Sequence, residues 1–107
     1  MKSQFKINFK NMDHSPAIEE IVTKKVEKLE SRFKNMLSCD VVIEVPHHHS
    51  MGVHIPHVNI HVRMREGDLM VNKEPELDKS HADINIAIRD AFKAMENQME
   101  KAKGKMS

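Results

Sequence analysis

The apolar residues of this chain switch their spacing three times, and that order of periods leaves few folds open. Phe5, Ile7 and Phe9 recur at every second position, with Lys6, Asn8 and Lys10 between them. A period of two predicts a strand with one face buried and one wet. Ile18, Ile21, Val22, Val26, Leu29 and Phe33 then recur at steps of three and four, the stripe of an amphipathic helix. The period of two returns in Val41, Ile43 and Val45. It is clearest where Val58, Ile60, Val62 and Met64 alternate with His57, Asn59, His61 and Arg63, and it continues in Leu69 and Val71. Ile84, Ile88, Ala91, Phe92, Met95 and Met99 restore the helical step.

The residues between these runs agree with the boundaries. Ser15 can cap free amides and Pro16 suits a first helical turn, where its missing N–H is not needed. Glu19 and Glu20 fall near the positive end of that helix dipole. His47 to Gly52 reads as a turn after Pro46, and Glu66-Gly67-Asp68 as a tight turn. Lys73 to Lys79, with Pro75, reads as a loop. Ser80 to Asp83 offers a capping box for the last helix, which is expected to fray from Gly104.

Strand, helix, three strands and helix make a β-α-β-β-β-α order. Both helical stripes and one face of the sheet need covering, so the expected class is α+β. It is a two-layer sandwich whose four-stranded sheet carries two helices packed on one face, with the last three strands forming an antiparallel meander. With 107 residues, the chain reads as a single domain over 1–107.

Charge and cysteine content narrow the setting. Seventeen Lys and Arg against 16 Asp and Glu give a formal net charge of +1. That excludes a polybasic binder driven by bulk charge but allows a local basic surface. Cys39 is the only cysteine, so it is expected to pack at a strand start as a small hydrophobe in a reducing compartment. No apolar run approaches the roughly 20 residues of a membrane span, and the amino terminus lacks the apolar core of a signal peptide. The expected location is the cytoplasm, with no membrane partner.

Several segments carry a resemblance. Ser15-Pro16-Ala17-Ile18, Lys25 to Glu30 with Phe33, Val41 to Glu44, and Ala87 to Phe92 resemble motifs of the ribosome hibernation-promoting factor and ribosome-associated inhibitor A family. Val71 to Pro75 is similar to a subgroup of it. The resemblance covers nearly the whole chain in order. It implies the fold derived above and a protein that binds the small ribosomal subunit, against 16S rRNA, in the cleft used by messenger and transfer RNA. It further implies silencing of translation under stress or in stationary phase. Longer relatives carry a carboxy-terminal dimerisation domain. This chain ends at Ser107, so ribosome pairing through such a tail is not expected.

The resemblance places RNA-binding cations at Lys25 and Lys28 in the first helix, at Arg89, and at Lys101, Lys103 and Lys105 after it. Arg32 and Lys93 are added from helical geometry. Fixed cations are what a phosphate array requires, because neutralising phosphates releases their counterions. The chain departs from the family pattern at Ala94 and Asn97, where many members carry Lys and Arg, and Glu96 and Glu100 add opposing charge. Without a partner, lysines beside glutamates are an ordinary solvated face, with pairs of roughly 0.3–0.5 kcal/mol.

Other chemistries find less support. Eight histidines invite a metal, but along one strand His57 and His61 would stand about 13 Å apart, too far to share one zinc. No metal or other cofactor is expected. Protonation of histidines would instead raise RNA affinity between about pH 7.5 and 6. The chain has no phosphate loop, nucleophile motif or paired-carboxylate signature, so neither an enzyme nor a small-molecule substrate is expected. The rival reading is a non-ribosomal interaction module, or a self-associating one, that uses Val42, His57, Asn59, His61 and Met70 on the open face of the sheet.

Overall fold

A computed structural model describes residues 4–44, 57–73 and 84–105, with Lys73 and residues 103–105 described by their backbone alone. Its elements are β1 (Gln4–Lys10), α1 (Pro16–Arg32), β2 (Met36–Glu44), β3 (His57–Met64), β4 (Gly67–Lys73) and α2 (Ile84–Lys105). The expected α+β order is met. Val45, the turn from His47, the loop around Pro75 and the capping box at Ser80 lie outside the described residues.

The first helix starts as its sequence dictates. Ser15 is extended, with φ −115° and ψ 108°, and its Oγ accepts a hydrogen bond from the Ile18 amide at 3.3 Å. The helix stops where Phe33 turns extended and its amide donates to the Leu29 carbonyl at 2.7 Å. Asn11 absorbs the turn out of β1 at φ 58°, a left-handed conformation that Asn tolerates better than most residues.

Strand order in the sheet is β1-β2-β3-β4. The crossover through α1 sets β1 parallel to β2, and the other pairs are antiparallel. Register brings Ile7, Val41, Ile60 and Val71 into one row across the whole sheet. The neighbouring row, Lys6, Asp40, His61 and Met70, lies on the opposite face. Val22, Val26 and Leu29 of α1 share a core with Ile88, Ala91, Met95 and Met99 of α2 and with the first face of the sheet, so both helices cover that face. Each such aliphatic side chain contributes about 1.5–3 kcal/mol on burial. Gln98 of α2 donates from Nε2 to the Met70 carbonyl at 3.1 Å, occupying an acceptor on edge strand β4.

Three boundaries differ from expectation. The tight turn falls at Arg65-Glu66, and Gly67 and Asp68 already pair with Met64 and Arg63 in β4. β2 begins at Met36, so Cys39 sits inside the strand rather than at its start. An irregularity between Met36 and Ser38 shifts the pairing with β3 and breaks the alternation there. The second helix continues through Gly104 to Lys105. A lone glycine costs a helix only about 1 kcal/mol relative to alanine, and Ala102 and Lys103 beside it are good helix formers.

Cys39 is fully buried. Burial, with a smaller contribution from the Asp40 charge, pushes its thiol from 9.0 up to about 12. At neutral pH that leaves about a thousandfold less thiolate than an ordinary thiol, and thiolate is the reactive form. An aromatic disulfide reagent should therefore label the native protein orders of magnitude more slowly than the denatured chain. Rapid, stoichiometric labelling of folded protein would contradict this placement.

Candidate nucleic-acid interface

Two amphipathic helices lying side by side on a sheet leave a furrow between their wet flanks, and here the furrow is cationic. Lys25, Lys28, Leu29, Ser31 and Arg32 of α1 and Arg89, Phe92, Lys93 and Glu96 of α2 line a groove of about 470 Å³. Its floor is apolar, because Leu29 and Phe92 are core residues only 4% and 5% exposed. Among the described residues, five cations and one carboxylate, Glu96, stand along its walls. Helical repeat explains the convergence: 25, 28 and 32 fall on one stripe of α1, and 89, 93, 96 and 100 on one stripe of α2.

The cations are not equally free. Lys25, Lys28 and Lys93 form no ion pair among the described residues, whereas Arg89 Nε lies 3.4 Å from Asp90 Oδ1 on its own helix. Arg32 spans the groove. Its Nη1 pairs with Glu96 Oε1, and its Nη2 donates to Glu100 Oε1 at 2.5 Å. The Arg32 guanidinium also lies 5.3 Å from the Phe33 ring centroid. The electropositive strip is thus open at its Lys25 end and partly neutralised at Arg32.

Of the eight cations singled out in the sequence, five converge on this groove. Lys101 is exposed on α2 but does not line it. Lys103 and Lys105 belong to α2 by backbone, and their side chains lie outside the described residues. Lys34 was not singled out in the sequence. With Arg32, Phe33, Asn35 and Met64 it lines a cavity of about 200 Å³ that adjoins the groove through Arg32. Lys34 sits past the end of α1, where a helical wheel no longer applies.

The described histidines lie away from the groove. His14 pairs with Glu19 at the start of α1, and His61 Nε2 is 3.3 Å from Asp68 Oδ2 on the open sheet face. Among the described residues no group of three His, Cys, Asp or Glu could hold a metal ion. No helix among them is long and apolar enough to cross a membrane. On the open sheet face Met70 is 66% exposed, but it pairs with His61 and is flanked on β3 by Asn59 and Arg63 and on β4 by Asp68 and Asn72, all polar.

Residues 5–107 match the model of the family described as sigma 54 modulation protein / S30EA ribosomal protein. The chain belongs to this family. Membership meets the expectation raised by the first-helix and second-helix motifs, and it places the chain among ribosome-associated proteins. The fold is similar to that of a ribosomal subunit interface protein from Coxiella burnetii, with a TM-score of 0.76 and 15% identity over 94% of this chain and 98% of that one. It is also similar to the N-terminal domain of Thermus thermophilus Protein Y, with a TM-score of 0.68 and 23% identity over 94% of this chain and 98% of that one. No curated protein sequence matches the chain.

Proposed function

We propose that this protein binds the small ribosomal subunit through 16S rRNA and blocks translation by occupying the path of messenger and transfer RNA. The observation that carries this reading is the groove in which Lys25, Lys28, Arg89 and Lys93 converge from two rigid helices. Folded RNA presents phosphates in a fixed array, and cations held on helices meet it without a further loss of backbone freedom. Blocking needs occupancy and no turnover, so the protein acts as a cytoplasmic binding factor without a substrate or cofactor. The family resemblance supplies the setting, stress or stationary phase.

Gradient sedimentation with purified small subunits tests the proposal. Four phosphate contacts should weaken binding by about a hundredfold between about 50 and 200 mM salt. The protein should therefore travel with subunits at the lower concentration and be largely lost from them at the higher. Failure to travel with subunits at either salt would overturn the reading. Concentration-dependent self-association in its place would favour the open sheet face as the working surface.

A further inference from the structure

Among the described residues lining the groove, Arg32 alone is held by carboxylates of the facing helix. Glu96 and Glu100 are one helical turn apart on α2 and engage separate guanidinium nitrogens. A phosphate engages arginine in the same forked way, through two oxygens on two nitrogens. The carboxylates and a phosphate therefore compete for the same Nη1 and Nη2 groups and for the same positive charge. Arg32, Glu96 and Glu100 are 49%, 42% and 44% exposed, so the pair is accessible to an incoming phosphate.

We infer that Glu96 and Glu100 are intramolecular competitors for phosphate at Arg32 and set the affinity of the groove for RNA. This rests on the reading of the groove as an RNA interface and names what regulates it. Along α2 one stripe runs Arg89, Lys93, Glu96, Glu100, two cations followed by two anions, of which the first three line the groove and Glu100 reaches it through Arg32. At one end, phosphates of a nucleic acid meet lysines that form no ion pair among the described residues. They reach Arg32 only when the strand is already anchored and its next phosphate is at high local concentration. A lone phosphate has no such advantage over two carboxylates fixed on the same chain. The groove thus selects closely spaced phosphates over isolated ones, and the acids hold its affinity below what its five cations would otherwise give.

The test compares four proteins: the parent, E96Q/E100Q, E96Q/E100Q/R32Q, and E20Q/E27Q. The last removes the same charge from α1 residues outside the groove. Glutamine keeps the size of glutamate and leaves the helix packing intact, which circular dichroism checks. Binding is measured to a short RNA duplex of non-ribosomal sequence and to purified small subunits, each across a salt series. E96Q/E100Q should bind the duplex about tenfold more tightly, the scale of one charge-assisted contact. Its salt dependence should steepen by about one phosphate equivalent, and R32Q should erase both gains.

Unchanged or weaker binding by E96Q/E100Q would overturn the inference. So would an equal gain in E20Q/E27Q, or a gain that survives R32Q. Tighter duplex binding without any subunit binding would sink the ribosomal reading alone. Subunit binding by the parent that the double variant does not improve would sink the competition alone. If neither probe binds any of the four, both fall. Should the double variant lose its fold, E100Q keeps the Glu96 pair and should show a smaller gain, and no gain there overturns the inference.

Discussion

Reversing the charge at Lys25, Lys28 and Lys93 together should abolish binding to small subunits while leaving the protein folded. The three side chains line one groove and form no ion pair among the described residues, so reversal breaks no internal contact there. Each phosphate contact from a charged donor contributes about 1.5–3 kcal/mol, and three lost contacts correspond to at least about a thousandfold in affinity. Three new carboxylates would also repel the phosphates they face. Helix costs are small by comparison, because a like-charge pair one turn apart costs only about 0.3–0.5 kcal/mol. Sedimentation should show no co-migration at about 50 mM salt, and circular dichroism should match the parent. Reversing Lys6 and Lys10, exposed on β1 away from both helices, provides the contrast. At about 50 mM salt the Debye length is roughly 14 Å, so charges on the open face, across the sheet from the groove, should shift binding only a few-fold. Equal losses from both variants would mean that bulk charge, not the groove, does the binding.

Much of this architecture was readable because it is written in local physics. The period of two in β3 and the three-and-four step in α1 each report which side of an element meets the core. Both survive intact in the burial of Val58, Ile60, Val62, Val22, Val26 and Leu29. The start of β2 was hidden by its own irregularity. Met36 and Cys39 are both buried but lie three residues apart, a spacing that suggests a helix when the bulge is not known. Parallel pairing of β1 with β2 carries no local mark either, since it depends on the path of the crossover.

The candidate site divides in the same way. That Lys25, Lys28, Arg89 and Lys93 lie on wet helix flanks follows from helical geometry, and their convergence follows once the helices are neighbours. Lys101 drops out because it follows Glu100 directly, about 100° further round the helix and off the groove-facing stripe. The Arg32 pairs with Glu96 and Glu100 join residues 64 and 68 positions apart. No periodicity encodes them. They depend on the distance between two helices that the core sets, which is why the same glutamates appear in the sequence only as unlocated opposing charge.

That distance is the subject of the second large effect, expected from Phe92→Ala. Phe92 is 5% exposed and belongs both to the core cluster and to the groove lining. Truncating a buried phenylalanine removes its transfer energy and leaves a cavity, together about 3–5 kcal/mol. A domain of this size has roughly 5–15 kcal/mol in total, so the variant should lose a large share of its stability, with Tm falling on the order of 15–25 °C. Denaturant unfolding should show the loss as a lower midpoint with little change in slope. Phe92→Leu, which refills most of the space, should recover the greater part, and Met70→Ala, on the exposed face, should stay within about 0.5 kcal/mol of the parent. Phe92 also lines the groove together with Lys28 and Lys93, so the alanine variant should bind subunits more weakly even at temperatures where it remains folded. A cost below about 1 kcal/mol would mean that the helices do not close over Phe92, and the cation rows would then lack the rigid spacing that phosphate recognition requires.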